Sequence, residues 1–304
     1  MQPFNVRILG CGSALPTLRH YASSQIVEVR GKAFMVDCGE GTQIQIRKAR
    51  VHFNKVIAVF ISHLHGDHCF GLIGLISTFG MLGRTAPLHI YAPKEFEEIL
   101  KMQMDFFCRG LEYEVFFHSV DTTKADVVYE DKSIIIKSIP LDHRINCCGY
   151  MFSEKPTLPH IRRDMIDFYN IPECFRNNIK NGADWVASDG SVVPNSRLTS
   201  PSAPPRSYVY CSDTKYMPAL YKLIEGVDLL YHEATYANDN ADRADLYYHS
   251  TACQAATVAL KAQAKKLVLG HFSARYEDEK MILEEARSIF PNTYLANEME
   301  VFDV

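Results

Sequence analysis

The densest group of chemically capable side chains lies between Ser62 and His68, where three imidazoles and one carboxylate occupy six positions. They belong to His63, His65, Asp67 and His68. Imidazole nitrogens and carboxylate oxygens are common ligands of zinc and similar divalent metals. Four ligands this close in the chain cannot easily coordinate one ion with tetrahedral geometry. Two pairs of them can instead coordinate two adjacent ions. Because the chain holds only 12 histidines in 304 residues, three histidines within six positions are improbable by chance. A metal site is therefore favoured over a polar loop with chance histidines.

Two apolar segments flank this cluster and must position it. The β-branched run at 56–61 predicts a buried strand, and small apolar residues at 71–76 predict a helix. The cluster therefore lies in a strand-to-helix loop. The same arrangement, an apolar strand followed by a metal-type residue, recurs later in the chain at His143, Asp213, His232 and His271. Because strand ends on one edge of a sheet sandwich can meet in one cleft, three of these residues are predicted as further ligands: His143, Asp213 and His271.

The seven predicted ligands divide into two sets of three and a bridge. One ion is assigned to His63, His65 and His143, and the other to Asp67, His68 and His271. Asp213 can bridge the two ions, since a carboxylate has two oxygens. Two ions about 3.5–4 Å apart can trap a hydroxide and clamp a phosphodiester. Asp67 is predicted both to bind metal and to accept the proton of the nucleophile.

The leaving oxygen of such a reaction needs an acid and the phosphate a cation. His249 is the candidate acid, with Glu233 holding its other ring nitrogen. Arg275, four residues after His271, is a candidate for bidentate contact with a phosphate oxygen. The alternative for His249 is a solvent-facing residue at the start of a helix.

Composition limits the classes of function. The net charge of −4, with 47% hydrophobic and 22% charged residues, is typical of a globular protein without a global basic field. Nucleic-acid binding would need a local basic patch, and no DNA partner is expected. Nine cysteines without a Cys-x-x-Cys pair favour a reducing compartment. With no signal peptide and no apolar run near the roughly 18 residues of a membrane span, we expect a cytoplasmic protein that does not bind membranes.

The order of elements predicts the fold class. Strands outnumber helices and then alternate with them in both halves, which suits an α/β protein with two mixed sheets and outer helices, an αββα sandwich. We expect a single domain over 1–304. Within it, residues 153–206 are polar and hold seven of the 14 prolines, so they predict an inserted arm with one helix at about 162–169.

The motifs resemble those of a known family. His-x-His-x-Asp-His at 63–68 resembles the signature of the metallo-β-lactamase superfamily. The later motifs narrow the resemblance to ribonuclease Z, the short-form tRNA 3′ processing endonucleases, and the match runs over essentially the whole chain. These motifs are Gly149-Tyr150, Ser212-Asp213-Thr214, His232-Glu233-Ala234-Thr235, His249-Ser250-Thr251 and Gly270-His271-Phe272-Ser273-Ala274-Arg275-Tyr276.

The resemblance implies a metallo-β-lactamase fold and a zinc phosphodiesterase with two Zn²⁺ per subunit, Mn²⁺ being an alternative metal. It implies cleavage of precursor tRNA after the discriminator base, with a 3′-hydroxyl left on the tRNA and a 5′-phosphate on the trailer. It also implies a homodimer in which the arm of one subunit grips the tRNA elbow and serves the active site of the other.

Two departures from the family pattern concern RNA binding. The arm lacks the family's Gly-Pro motif and reads Ile171-Pro172-Glu173 in the matching stretch, and its candidate RNA-binding cations are offset by acids. These cations are Lys155, Arg162, Arg163, Arg176 and Lys180. In the loop Pro16–Tyr21, Leu18 replaces the family's lysine, and Arg19 is the remaining candidate for RNA contact.

Two other functions stay open at this stage. One is a small-molecule phosphodiesterase or arylsulfatase-like hydrolase that uses the same dinuclear site. The other is a non-catalytic RNA-binding subunit, which the presence of all seven predicted ligands disfavours.

Overall fold

The computed structural model describes residues 3–304. Its strands are β1 (Phe4–Gly10), β2 (Ser24–Val29), β3 (Lys32–Cys38), β4 (Val56–Phe60), β5 (Leu88–Pro93), β6 (Val115–Val120), β7 (Val127–Glu130), β8 (Ile134–Leu141), β9 (Cys147–Glu154), β10 (His160–Ile161), β11 (Trp185–Val186), β12 (Val192–Val193), β13 (Thr199–Ser200), β14 (Ser207–Cys211), β15 (Leu229–Glu233), β16 (Leu267–Gly270), β17 (Thr293–Leu295) and β18 (Val301–Asp303).

Its α-helices are α1 (Thr42–Lys48), α2 (Gly66–Cys69), α3 (Leu72–Met81), α4 (Phe96–Phe107), α5 (Arg163–Phe168), α6 (Glu173–Lys180), α7 (Asn195–Leu198), α8 (Leu220–Leu223), α9 (Ala241–Tyr247), α10 (Ala252–Lys261) and α11 (Lys280–Ile289). Short 3₁₀ turns cover Phe53–Lys55 and Asn238–Asn240. Within residues 3–304, no helix combines the length and the apolar character needed to cross a membrane.

Two seven-stranded sheets make up the larger compact unit, which comprises residues 3–153 and 206–304 of the described chain. The first has the order β18-β1-β2-β3-β4-β5-β6, antiparallel from β18 to β3 and parallel from β3 to β6. The second has the order β17-β16-β15-β14-β9-β8-β7, with its parallel part from β17 to β14. Both sheets are mixed, which confirms the predicted αββα sandwich.

The pleat of β4 shows how one apolar run serves two cores. Ala58 and Phe60 belong to the core that both sheets share, while Val59 and Ile61 pack with helices α1, α3 and α4 on the other face of the first sheet. Alternate strand residues point to opposite faces, so a strand buried on both faces must be apolar throughout. In the shared core, the Phe60 ring lies edge-on to Tyr150 of the second sheet at 5.2 Å.

The smaller compact unit comprises residues 154–205. It contains three helices, α5, α6 and α7, and two short antiparallel strand pairs, β10 with β13 and β11 with β12. Ile171, Ile179, Val193 and Leu198 form its own small core. The prediction of one helix at 162–169 was incomplete, because α6 and α7 are short and carry few apolar residues.

Other element predictions needed correction. The segment Pro93-Lys94-Glu95-Phe96 predicts the start of a helix, with proline at its first position. Pro93 is instead the last residue of β5 and pairs with Val120, and helix α4 begins only at Phe96. A helix from Thr251 to about Ala264, capped by Ser250, was predicted, but α10 covers Ala252–Lys261, and Thr251 is its N-cap and forms a capping box with Gln254. Strands β6 and β7 were missed.

Candidate active site

Three chain segments converge at the predicted metal loop. After β4, the backbone N–H of Ser62 donates to Asp37 at the end of β3, at 2.7 Å. The one-turn helix α2 then carries Asp67 and His68. Gly71 starts α3 so close to β3 that an added Cβ would lie 2.0 Å from the Gly39 carbonyl oxygen. Because glycine has no Cβ, it allows α3 to lie this close to the end of β3. The metal loop, which precedes α3, is thereby held against the same strand end.

The structure brings the first predicted set of ligands together. His63 Nε2 and His143 Nε2 each lie 3.1 Å from His65 Nδ1. Asp213 Oδ2 lies 3.6 Å from His63 Nε2 and 3.9 Å from His143 Nε2. One donor atom from each of the four residues lies within 4.8 Å of the others. Three imidazoles and one carboxylate at this spacing suit a single divalent ion.

The second predicted set also converges. Asp67 Oδ2 lies 3.4 Å from His68 Nε2 and 3.3 Å from His271 Nε2. Asp213 joins with its other oxygen, since Oδ1 lies 3.4 Å from His68 Nε2 and 3.3 Å from His271 Nε2. The Asp213 carboxylate thus presents one oxygen to each set. Its buried Oδ1 has no hydrogen-bond partner within residues 3–304, which is the state of a ligand oxygen that faces a cation.

The outward-facing ring nitrogens explain why the inward ones are available to a metal. His68 Nδ1 donates to Asp37 at 2.7 Å, and His143 Nδ1 donates to the Tyr248 carbonyl at 2.9 Å. His271 Nδ1 lies 2.8 Å from the Thr235 hydroxyl. That hydroxyl in turn donates a hydrogen bond to Glu233 at 2.7 Å. With the proton on the outer nitrogen, the inner lone pair points into the cluster. The residues therefore fit a dinuclear metal centre.

Asp37 is a functional residue that the sequence analysis missed. Its buried carboxylate contacts His68, the Ser62 hydroxyl at 2.9 Å and the Tyr210 hydroxyl at 2.7 Å. It adopts a left-handed backbone conformation with φ of 54°, which is strained for a non-glycine residue. Asp37 follows an apolar strand, so the signal that singled out Asp213 also applied to it.

His249 and Glu233 form the predicted pair beside the cluster. His249 Nδ1 lies 2.9 Å from Glu233 Oε1 and 3.9 Å from Asp213 Oδ2. Burial lowers the pKa of His249, but the charge and hydrogen bond of Glu233 outweigh it and raise this pKa to about 9. The same Glu233 oxygen accepts the backbone N–H groups of Thr214 and Ser250. A buried, fully bonded carboxylate thus keeps His249 protonated near neutral pH.

Other predicted and unpredicted residues surround this pair. A cavity of about 430 Å³ is lined by Asp67, Asp213, His249, Tyr236, Tyr247 and Arg144. Arg275 is exposed. Burial raises the pKa of Tyr236, and the positive charge of Arg275 acts in the opposite direction. Arg144, which the sequence analysis missed, lies 4.9 Å from the Tyr247 ring centroid. His232, part of the strand-end pattern, is buried outside the ligand sets and faces the Glu233 carbonyl at 2.7 Å.

The loop Pro16–Tyr21 is held by carboxylates. Arg19 pairs with Glu279 at 2.7 Å and with the Tyr276 carbonyl. His20 lies between Glu279 and Glu298, at 3.3 and 3.1 Å, and Leu18 is fully exposed. Arg19, predicted to contact RNA, is therefore engaged by the protein itself.

The predicted RNA-binding cations of the arm lie in a unit without net charge. Arg162 and Arg163 are exposed, Lys155, Arg176 and Lys180 are partly buried, and Arg162 pairs with Asp164 at 2.6 Å. Residues 154–205 hold six basic and six acidic side chains. Any attraction of this unit for phosphate thus rests on local rather than net charge.

Comparison with known proteins identifies the family. Ribonuclease Z of Bacteroides fragilis is 58% identical over 298 residues, which cover 98% of both chains. The chain belongs to the ribonuclease Z family. Ribonuclease Z of Porphyromonas gingivalis is 49% identical over 304 residues, the full length of both chains. The family model described as Anti-Pycsar protein Apyc1 matches residues 4–157.

A solved structure extends the comparison to the fold. Human tRNase Z, short form, has a TM-score of 0.71 at 26% identity, covering 98% of each chain. Members of the ribonuclease Z family are tRNA 3′ processing endonucleases on the metallo-β-lactamase fold. The sequence-based identification of the family, the fold and the enzyme class is thereby confirmed, and the His/Asp cluster agrees with a metal site.

Proposed function

We propose that this chain removes the 3′ trailer of precursor tRNA by hydrolysing the phosphodiester after the discriminator base, with two zinc ions per subunit. The observation that carries the proposal is the pair His249–Glu233 beside the Asp213 bridge. Seven donors alone would support metal binding, whereas an adjacent protonated imidazole adds a proton donor for an alkoxide leaving group.

The chain's own residues divide the work around the scissile phosphate. When bound, the zinc ions supply Lewis acidity toward the phosphate oxygens and favour ionisation of water. His63, His65 and His143 would hold one ion, Asp67, His68 and His271 would hold the other, and Asp213 would offer one carboxylate oxygen to each set. Asp67 orients the attacking water and accepts its proton. His249 donates its Nε2 proton to the departing 3′ oxygen while Glu233 stabilises the charged ring.

Two cations are proposed to meet the phosphate. Arg144 lines the cavity that contains His249 and Asp213, and Arg275 is exposed four residues after His271. Their positive charge offsets the charge that builds on the phosphate oxygens during hydrolysis.

The test is a cleavage assay with end-labelled precursor tRNA that carries a 3′ trailer, run with zinc or manganese beside bis-p-nitrophenyl phosphate. A single cut after the discriminator base, far more efficient than hydrolysis of the chromogenic diester, is the expected result. Hydrolysis of the diester with intact tRNA would overturn the proposal in favour of a small-molecule phosphodiesterase.

We also propose that the chain is one metallo-β-lactamase-like domain with an inserted arm at 153–206, and that it acts as a homodimer. The arm assignment is supported by the separate core of residues 154–205 and by the exposed Phe168 and Phe175 rings, which suit stacking on RNA bases.

A deletion tests the arm directly. Ser153 and Ser207 are paired neighbours on antiparallel strands, so a short glycine-rich turn can replace residues 155–205. The shortened chain should lose tRNA cleavage and retain hydrolysis of the chromogenic diester. Equal loss of both activities in a folded variant would contradict a role in RNA recognition. Light scattering on the full chain tests the dimer.

A further inference from the structure

Positive charge is concentrated in one segment of this acidic chain. Residues 41–66 contain four cations and no acidic residue, although the whole chain has a net charge of −4. We call these four cations, Arg47, Lys48, Arg50 and Lys55, the basic strip. They are exposed at the end of α1 and in the turn that follows. None forms an ion pair with another residue in the described part of the chain.

The position of the strip is only partly explained by helix stability. Arg47 and Lys48 lie in the last turn of α1, where cations complement the helix dipole. Arg50 and Lys55 lie beyond that turn and have no such role. Unpaired cations close together repel one another, and this repulsion is relieved when an anion binds. The strip therefore has the electrostatic character of a phosphate-binding surface.

A groove connects the strip to the active site. Its volume is about 680 Å³ and its lining includes Ser13, Pro16, Tyr21, Glu40, Asp67 and Phe70; we call it the Tyr21 groove. Lys48 Nζ lies 5.0 Å from the centroid of the Tyr21 ring and 3.4 Å from its hydroxyl. Thus Tyr21, which lines the groove, contacts Lys48 of the strip, and Asp67 lines the same groove.

A second, smaller groove is lined by part of the strip. It has a volume of about 260 Å³ and is lined by Arg47, Arg50 and His52 together with apolar residues that include Phe79. A chain of phosphates that leaves Asp67 through the Tyr21 groove would meet Lys48 and then Arg47 and Arg50.

We propose that the Tyr21 groove and the basic strip bind the single-stranded RNA trailer on the 3′ side of the scissile bond. This inference rests on the proposed function. A groove with an aromatic ring on its wall and 72% of Phe70 exposed at its rim suits unpaired bases, because their faces can stack there. A base-paired stem does not present its base faces to such a groove.

The direction of the RNA follows from the proton donor. His249 protonates the 3′ oxygen that stays with the tRNA, so the tRNA body lies on the side of the cavity that contains His249, Tyr236 and Arg144. His249 does not line the Tyr21 groove, whereas Asp67, Gly66 and Ser13 line both spaces. The strand that remains attached to the phosphate therefore passes Asp67 into the Tyr21 groove.

The test compares precursors with trailers of one and eight nucleotides on the wild type and on the variant R47S/K48S/R50S. The expected result is a ratio of kcat/KM, long over short trailer, that falls about tenfold in the variant. For the long trailer, the slope of log kcat/KM against log salt concentration should become shallower by about two. Each lost phosphate contact on a single strand contributes ~0.7 to this slope.

A matched control removes three cations elsewhere. The variant K101S/K124S/K280S changes the net charge equally, but each of these lysines pairs with a neighbouring acid, Asp105, Asp121 and Asp278 respectively. In this control, the ratio of kcat/KM for the long trailer over the short trailer should equal that of the wild type. An equal fall in both variants would mean that net charge, not the strip, attracts the RNA, and would overturn the proposal.

Further outcomes separate the strip from other roles. Loss of cleavage to the same degree for both trailers would assign the strip to the tRNA body, and a changed molecular mass in solution would assign it to subunit contact; either overturns the proposal. Titration of a fluorescent single-stranded RNA octamer gives a reading independent of cleavage. Weaker octamer binding by R47S/K48S/R50S would support the strip even if the wild type failed to cut precursor tRNA, and unchanged binding would overturn it.

Discussion

Two groups of metal-type side chains lie in the larger unit, and they differ in how their histidines are bonded. The first is the catalytic cluster of seven predicted ligands. The second, the His20 cluster, consists of Cys11, His20, Glu279 and Glu298; Cys11 Sγ lies 3.2 Å from His20 Nδ1. Three of its residues also place donor atoms within 4.8 Å of one another. The number of nearby donors therefore does not separate the two groups.

The bonding of the ring nitrogens separates them. In the catalytic cluster, an outer acceptor binds one nitrogen of His68, His143 and His271 and leaves the other facing the cluster. In the His20 cluster, both nitrogens of His20 face carboxylates, so the ring is itself the cation. A metal site therefore needs lone pairs that point to a common centre.

The pKa values follow the same division. Burial lowers the pKa of His63, His65 and His143 and leaves these rings neutral. Hydrogen bonds to Glu279 and then to Glu298 raise the pKa of His20 to about 9. His68 differs from its neighbours, because Asp213, Asp67 and Asp37 outweigh burial and raise its pKa. Those carboxylates supply the negative charge that two divalent ions would neutralise.

The largest expected effect comes from breaking the catalytic cluster at Asp67. The substitution Asp67→Ala removes a ligand and the proton acceptor together, so kcat on precursor tRNA should fall by about 10³-fold or more. Metal content measured on the same sample should also fall. Activity within tenfold of the wild type would show that Asp67 has neither role.

Metal analysis tests the comparison itself. The chain should bind two zinc ions, and Asp213→Ala should lower that number because it removes the bridge. His20→Gln should leave the number unchanged, since His20 serves as a cation and not as a ligand. Three ions per chain, with one lost in His20→Gln, would show that the two clusters are of the same kind.

The proton donor can be separated from the ligands. His249→Ala should lower kcat by about 10²–10⁴-fold while the zinc content stays at the wild-type value. If the substitution strips zinc, His249 belongs to the ligand set and its assignment as the acid is wrong.

The pH profile sharpens the role of Glu233. An acid works only while protonated, so activity should fall as pH rises through the pKa of His249, about 9 in the wild type. In Glu233→Gln the acceptor remains but the charge is lost, and burial then lowers this pKa. The alkaline limb of kcat should therefore move to lower pH. An unmoved limb would assign it to another group.

The smallest effect concerns stability at the His20 cluster. Because the pKa of His20 is raised to about 9 in the folded chain, its contribution is fully present below pH 6.5 and is lost as pH rises through about 9. His20→Gln should lower the free energy of unfolding by about 1–3 kcal/mol at pH 6 and by little at pH 10. Denaturant unfolding of both chains measures this, with the exposed His160→Gln as control.

Local pattern allowed much of the site and the fold to be predicted. The spacing of His63, His65, Asp67 and His68 and the apolar run before it identified the metal loop. The strand ends identified His143, Asp213 and His271. Each of these signals spans only a few residues, because burial periodicity and ligand spacing are properties of short segments.

Long-range pairing decided what the sequence analysis missed. His68 and His271 are 203 positions apart, and their 3.4 Å separation depends on the register of strands in both sheets. The same registers place Asp37 behind His68, bury His232 away from the cluster and tie Arg19 to Glu279.

Residue type and local spacing were enough to identify the side chains able to bind metal and the family that carries them, because these two properties set the ligand chemistry. The tertiary structure decided which nitrogen of each histidine faces the centre, which carboxylate supports it and where free positive charge adjoins the site. Those features depend on contacts between distant segments, and no local pattern in the chain records them.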